Sequence, residues 1–117
     1  MNLEFSHKPN YFLFAQLFIR HLEQHIKKHP NENQASFDLR DIYKIFQHDF
    51  ASTTTNLEGI LNISDDYRVE TINGDEKLIQ HYKIDAEQNH LHIDFNPAAS
   101  QALKEGKPMI EPDASIY

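Results

Sequence analysis

The amino-acid sequence predicts a single α+β domain with three core helices, a three-stranded antiparallel meander and a C-terminal helix. Helical periodicity dominates the first half of the 117-residue chain, whereas much of the second half alternates apolar and polar residues as strands do. The dipeptide Asn73-Gly74, between two strand-like runs, is a strong hairpin signal. The length fits one domain, which we place at residues 1–106, with residues 107–117 as a tail.

The first predicted helix runs from about Asn10 to Lys28 and is central to the core. Its broad apolar stripe indicates burial on one side. The residues of the stripe are Tyr11, Phe14, Ala15, Phe18, Leu22 and Ile26. Pro30 ends this helix, and residues 35–37 are predicted to form a short strand after it.

Two shorter helices are predicted between Asp38 and Ile63, joined by a tight connection. Asp38 is the expected N-cap of the first, and the second begins at the capping-box spacing Thr55-x-x-Glu58. The apolar positions are Leu39, Ile42, Tyr43 and Phe46 in the first helix, and Leu57, Ile60 and Leu61 in the second. Two such helices followed by strands predict a helix-turn-helix of the winged type.

The second helix of this pair lacks the side chains that read DNA. A reading helix presents Arg, Lys, Asn or Gln to base edges. Here Thr53, Thr54, Thr55 and Asn56 are accompanied by Glu58, with no Lys or Arg. We therefore expect this helix pair to serve packing or dimerisation.

Turn signals set a predicted register for the meander. The first turn pairs Ile72 with Asp75, Glu70 with Lys77, Val69 with Leu78 and Tyr67 with Gln80. The second turn, at residues 86–89, pairs Asp85 with His90, Ile84 with Leu91, Tyr82 with Ile93 and Gln80 with Phe95. The apolar face then holds Tyr67, Val69, Leu78, Tyr82, Ile84, Leu91, Ile93 and Phe95. Two apolar residues, Ile72 and Ile79, are left on the polar face.

The last helix has clear end signals, with Asn96 as cap, Pro97 at its first position and Gly106 just past its end. The tail that follows contains Met109, Ile110 and Tyr117, which are expected to dock on a partner or on the domain itself.

The net charge of −7 is unevenly distributed along the chain. Residues 1–50 hold six basic and six acidic residues, whereas residues 51–117 hold five basic and twelve acidic ones. Because nucleic-acid binding depends on Lys and Arg, the acidic half disfavours direct DNA binding.

The absence of cysteine excludes disulfides and thiolate chemistry. No segment reaches the ~20 apolar residues of a membrane helix, so we expect a cytoplasmic protein without membrane contact.

Eight histidines are the most unusual feature of the composition. His21, His25 and His29 recur at helical spacing, and His90 and His92 share one face of a strand. Pairs at such spacings can bind a divalent metal, but Lys27 and Lys28 would repel it. No nucleophile motif accompanies the histidines, so we predict no metal, no cofactor and no enzymatic activity.

The order of elements resembles the winged-helix domains of plasmid replication initiator (Rep-type) proteins. The resemblance covers most of residues 10–105 and rests on the segments YFLFAQLFIRHL, SFDLRDIYKIF, YRVETINGDEKLIQHYKID and LHIDFNPAASQAL. It implies a winged-helix fold and a mobile-element (plasmid or phage) origin. Members usually carry two such domains, one mostly for dimerisation and one for binding origin DNA. This chain has room for one domain and lacks a basic surface, so no DNA-contacting residue is transferred.

We therefore predict a non-catalytic regulatory or interaction module that self-associates as a homodimer. Its expected apolar contact residues are Ile72, Ile79, Met109, Ile110 and Tyr117. One alternative is an acidic inhibitor of the anti-restriction or anti-CRISPR type, which mimics nucleic acid and binds a basic nucleic-acid-binding protein. Its contact residues would be Asp65, Asp66, Glu70, Asp75, Glu76, Asp85 and Glu87. The second alternative is a DNA-binding regulator of replication or transcription.

Overall fold

The computed structural model describes residues 11–47 and 57–113, which form four α-helices and two three-stranded antiparallel sheets. The helices are α1 (Tyr11–Lys28), α2 (Leu39–Gln47), α3 (Leu57–Ser64) and α4 (Pro97–Lys104). The strands are β1 (Gln34–Asp38), β2 (Arg68–Thr71), β3 (Gly74–Lys77), β4 (Ile79–Asp85), β5 (His90–Phe95) and β6 (Met109–Ile110). The predicted α+β class is confirmed, but the prediction of one meander is wrong. None of the described helices is both long and apolar enough to cross a bilayer.

Helix α1 forms the centre of the core, as its apolar stripe predicts. Phe14, Phe18 and Leu22 are buried, and α1 packs chiefly against α3. A Cβ atom at Gly59 of α3 would lie 3.0 Å from Cε2 of Tyr11, so the missing side chain allows this close approach. The predicted capping residue Thr55, the connection over residues 48–56 and the side chain of Phe46 lie outside the described part of the chain.

One sheet has the strand order β1-β5-β4. The predicted β4–β5 register is confirmed from His81–Asp94 to Asp85–His90. An irregularity between Ile79 and His81 then pairs Ile79, rather than the predicted Gln80, with Phe95. This bulge turns Ile79 into the core, where it is 1 % exposed. The prediction that Ile79 is an exposed contact residue is therefore wrong.

The other sheet has the order β3-β2-β6, and its hairpin register differs from the prediction. Thr71 pairs with Gly74 and Glu70 with Asp75, so the turn residues are Ile72 and Asn73. A type I′ turn at Asn73-Gly74 needs positive φ at both residues, but only Gly74, with φ of 104°, has it. The Asn73 amide instead donates to Oγ1 of Thr71 at 3.1 Å, which stabilises the alternative turn.

The chain leaves one sheet for the other at Leu78. Its amide donates to the Tyr67 carbonyl at 3.1 Å, and its carbonyl accepts from the Asn96 amide at 2.8 Å. These bonds replace the predicted pairs Val69–Leu78 and Tyr67–Gln80, and β3 and β4 therefore belong to different sheets. In the tail, Met109 pairs with Val69, which docks β6 on the domain itself. Tyr117 lies outside the described residues.

Candidate interaction surfaces

Helix α3, the second helix of the predicted pair, is mostly buried. Five of its eight residues are buried: Leu57, Ile60, Leu61, Ile63 and Ser64. Ser64 Oγ donates to the Ile60 carbonyl at 2.8 Å, so this polar group is satisfied within the helix. The exposed residues of α3 are Glu58 and Asn62, which leaves the helix little surface with which to read a DNA groove.

The tip of the β2–β3 hairpin carries the most exposed large apolar residue of the described chain. Ile72 is 100 % exposed, whereas Tyr43 on α2, the other exposed large apolar residue, reaches 37 %. The hairpin beneath Ile72 is held by Thr71 Oγ1, which lies 2.7 Å from the Gly74 carbonyl and 2.8 Å from Glu76 Oε2. The tip therefore presents an aliphatic side chain on a well-bonded turn.

Several of the predicted acidic contact residues form ion pairs or hydrogen bonds within the domain. Lys77 Nζ lies 3.1 Å from Asp65 and 3.8 Å from Asp66, and Lys107 Nζ lies 4.0 Å from Glu70. Other members of the predicted set bond within the domain. Glu76 contacts Thr71 and accepts from Asn96, and Asp85 accepts from the Gln88 amide at 3.1 Å. Asp75 and Glu87 are exposed.

A separate groove of about 370 Å³ lies beside the end of the described chain. Its lining residues are Asp66, Arg68, Ile110, Glu111, Pro112 and Asp113. Three carboxylates and one guanidinium line this acidic groove. Two of the carboxylates have partners outside it, because Lys77 Nζ lies 3.8 Å from Asp66 and Glu111 accepts from Gln16 at 3.0 Å. Sequence analysis did not predict Glu111 or Asp113 as site residues, because only the pairing of β6 with β2 brings them beside Asp66.

The helical and strand histidines, which the sequence presents as two clusters, come together in the structure. The rings of His25 on α1 and of His29, just past the end of α1, have centroids 4.4 Å apart. His25 packs edge-on against Phe37 of β1. His25 also lines a cleft of about 340 Å³ together with His92 of β5. The rings of His92 and His90 stack with centroids 6.1 Å apart. The pairing of β1 with β5 brings the two groups together, and local periodicity does not reveal that pairing.

The outer face of the β1-β5-β4 sheet is a regular polar grid. Its three rows across the strands are Gln34–Asp94–His81, Ser36–His92–Lys83 and Asp38–His90–Asp85. His81 Nδ1 lies 3.8 Å from Asp94 Oδ2. Arg40 of α2 forms a 3.0 Å ion pair with Asp38 and so neutralises one corner of the grid. This face thus carries three imidazoles and three carboxylates together with Gln34, Ser36 and Lys83.

The partly buried helical histidines favour the neutral imidazole. Burial lowers the pKa of His21, an effect that nearby Asp41 opposes and Lys28 reinforces. Burial also lowers the pKa of His25, with a further contribution from His29 and opposition from Glu32. His25 Nε2 is buried and has no hydrogen-bond partner. Protonation of either ring in the folded state is therefore unfavourable.

We expect acidification to destabilise the fold through these two residues. The unfolded chain binds protons on both at the ordinary histidine pKa of about 6.5, before the folded chain does. The stability present above pH 6.5 is therefore lost as the pH falls through the lowered pKa values of the folded state. Urea unfolding between pH 7.5 and 5.5 should show this loss, and the variant His21→Gln/His25→Gln should show a smaller one. Gln24→Ala is the control on the same helix, and an unchanged pH dependence in the double variant would contradict the assignment.

Across residues 11–47 and 57–113, no three His, Asp or Glu side chains are arranged to hold a metal ion. His29 Nδ1 lies 3.5 Å from Glu32 Oε2, so ion pairing is available to this ring. The chain matches no protein-family model, no curated protein and no solved structure at a significant level.

Proposed function

We propose that this chain is a non-catalytic interaction module with a winged-helix-like fold that associates with itself. The burial of α3 carries the proposal. In a DNA-reading winged helix the corresponding helix is exposed and basic or amide-rich. Here α3 is used for packing and exposes Glu58 and Asn62, so the scaffold is better suited to contact protein than DNA.

The order of elements supports the winged-helix part of the proposal. Helix α1 is followed by the short strand β1, the helix pair α2–α3 and, after the inserted β2–β3 hairpin, the β4–β5 hairpin. Strand β1 pairs with β5, the second strand of that hairpin. A winged helix has this arrangement of three helices, a short strand and a wing hairpin. The resemblance to Rep-type domains is proposed on the same basis, together with a mobile-element origin.

The β2–β3 hairpin tip is the contact that we propose for self-association. Burying an isoleucine is worth about 1.5–3 kcal/mol, and Ile72 is fully exposed in the single chain. Glu70 and Asp75 flank the tip on paired positions, so the apolar centre is surrounded by polar groups as protein interfaces are. A two-fold contact would bury one Ile72 from each copy.

We expect sedimentation velocity at pH 7.5 to show a concentration-dependent dimer at tens of micromolar. Ile72→Ser should weaken that dimer at least tenfold, because about 1.4 kcal/mol corresponds to a factor of ten. The matched control is Tyr43→Ser, which removes the other large apolar side chain that is exposed among the described residues and should leave the dimer intact. A strict monomer at these concentrations would overturn the self-association proposal.

The two alternative functions have less support. The DNA reader would need a basic or amide-rich α3. The acidic inhibitor would need unpaired carboxylates, and three of its seven proposed contact residues, Asp65, Asp66 and Glu70, already lie near Lys77 or Lys107. A gel-shift assay at low salt tests the DNA-reader alternative, because electrostatic binding to any duplex is strongest at low salt. We expect no retardation of duplex DNA.

A further inference from the structure

Strand β4 is an open edge of the β1-β5-β4 sheet. It pairs with β5 alone, and no strand among residues 11–47 and 57–113 lies along its other side. With seven residues it is longer than the other edge strands of the two sheets, which are β1 with five, β3 with four and β6 with two. An edge of this length presents a row of backbone groups that can pair with a strand of another chain.

Backbone bonds at the two ends of β5 show which of its residues face β4. The Phe95 amide donates to the Asn33 carbonyl at 2.8 Å, and the Leu39 amide donates to the Asn89 carbonyl at 2.9 Å. Both bonds continue the pairing of β5 with β1. Because successive residues of a strand direct their N–H and C=O groups to opposite neighbours, the odd-numbered residues of β5 face β1 and the even-numbered residues face β4.

The same alternation places Tyr82 and Ile84 of β4 on the open edge. The residues of β4 opposite the even-numbered residues of β5 are His81, Lys83 and Asp85. Their backbone groups therefore bond to β5, and those of Tyr82 and Ile84 point away from it. Two N–H and two C=O groups of this edge are thus available to a second strand.

The side chains of β4 are complementary to those of a second β4 in one antiparallel register. When Ile84 lies opposite Ile84 of the second copy, Lys83 of each copy lies opposite Asp85 of the other. Lys83 is exposed and forms no ion pair with the described residues, and Asp85 accepts from the Gln88 amide through Oδ1, which leaves Oδ2 for another partner. Opposite charges at facing positions stabilise a sheet, and these pairs occupy the closely spaced positions between backbone bonds, where side chains are nearest.

The neighbouring registers lack this complementarity. Shifts of two residues keep the polar faces of both copies on the same side of the sheet. A shift in one direction places Lys83 opposite the second Lys83, and a shift in the other places Asp85 opposite the second Asp85. Like charges at facing positions are unfavourable, so charge selects the register centred on Ile84. The open edge of β1 offers no such pairs, because its one charged residue, Asp38, is already paired with Arg40.

We propose that β4 pairs in antiparallel fashion with β4 of a second copy of this chain, with Ile84 opposite Ile84, so that two three-stranded sheets become one continuous sheet. Both copies use the same surface, so the contact is isologous and closes as a dimer. At its centre the two Ile84 residues exchange backbone bonds, and Lys83 and Asp85 form an ion pair on each side of them. The pairing is short, so we expect it to be weaker than the hairpin-tip dimer. It uses other residues than that dimer and does not rest on it.

The test uses the Ile72→Ser background, which removes the hairpin-tip contact. Two variants reverse one charge each, Lys83→Asp and Asp85→Lys, and a third, Lys83→Asp/Asp85→Lys, exchanges the two charges. The control is Lys28→Asp, which makes the same change of net charge as Lys83→Asp at an exposed residue of α1. Circular dichroism establishes that each variant is folded, and Lys83→Asp leaves the bond between Asp85 and Gln88 in place.

Amide hydrogen exchange measured by NMR locates the contact. In the Ile72→Ser chain the Ile84 amide should exchange at least threefold more slowly at about 1 mM than at about 20 µM, because it donates across the interface only in the dimer. The Ser36 amide is the internal control. Ser36 lies opposite the even-numbered His92, so its backbone faces the open edge of β1 and its exchange should not depend on concentration. An Ile84 amide that exchanges at the same rate at both concentrations would overturn the proposal.

The charge variants test the register. At about 1 mM, sedimentation should show a dimer for the Ile72→Ser chain and for Lys28→Asp, but a monomer for each single reversal on β4, because each places like charges at facing positions. A mixture of the two single reversals should form a one-to-one complex, since the mixed pair again has opposite charges at both positions. The exchanged variant Lys83→Asp/Asp85→Lys should dimerise like its parent. The proposal fails if the folded exchanged variant stays monomeric, or if Lys83→Asp dimerises as well as its parent.

Discussion

Replacing Leu61 with alanine is expected to lower the free energy of unfolding by about 2–5 kcal/mol. Leu61 is 0 % exposed and lies on α3, in the same core as Phe14 and Phe18 of α1. The substitution removes three buried carbon atoms and leaves a cavity that the surrounding side chains fill only in part. Since small domains have a total stability of about 5–15 kcal/mol, the variant should lose a large share of it. Urea unfolding followed by circular dichroism measures the change.

The adjacent residue provides a matched control. Asn62 is exposed on the same helix, so Asn62→Ala should change the free energy of unfolding by no more than about 0.5 kcal/mol. The contrast between the two variants tests whether α3 packs in the core through Leu61. A small effect of Leu61→Ala would contradict the packing role of α3.

The sequence predicted which residues are buried better than it predicted any other feature of the fold. Helical spacing identified Phe14, Phe18 and Leu22, and strand alternation identified Leu91 and Ile93, all of which are buried. These patterns work because helix and strand geometry place every third, fourth or second residue on one side. Segments with one apolar face therefore reveal that face without knowledge of their partners.

In the β2–β3 hairpin the predicted register was wrong, yet the predicted faces of the strands were right. The predicted partner of Glu70 was Lys77, whereas the observed partner is Asp75, a shift of two residues. A shift of two keeps every side chain on its original face, while a shift of one would reverse it. Alternation therefore could not distinguish the two registers. The local bonds of Thr71 and the change of sheet at Leu78 decide between them.

The candidate surfaces depend on contacts between distant parts of the chain, and the sequence showed only their components. Residues 34–38 pair with residues 90–94, and this pairing unites the helical and strand histidines. The pairing of β6 with β2 similarly assembles the acidic groove. Ile79 was misassigned for a related reason, since the bulge that buries it forms only when β4 pairs with β5.

Asn96 is the residue that links the two sheets to α4, and Asn96→Ala should be clearly destabilising. Its Oδ1 accepts from the Ala98 amide at 3.0 Å and caps α4, and its Nδ2 donates to Glu76 Oε1 on β3 at 3.2 Å. Loss of such a cap typically costs about 1 kcal/mol, within a range of about 0.5–2 kcal/mol. The lost bond to β3 should add to this cost. Chemical unfolding of the purified variant measures the total.

Asn96→Asp separates the two contributions. An aspartate is as good an N-cap as asparagine, so the cap persists, but its carboxylate cannot donate to Glu76 and repels it. The bonds from Thr71 and Asn96 lower the pKa of Glu76, so this residue is ionised in the fold at neutral pH. We therefore expect Asn96→Asp to be less stable than the parent, and this deficit should be absent in a Glu76→Gln background. If the deficit persists in the Glu76→Gln background, the bond between Asn96 and Glu76 does not contribute to stability, and Asn96 acts only as the cap of α4.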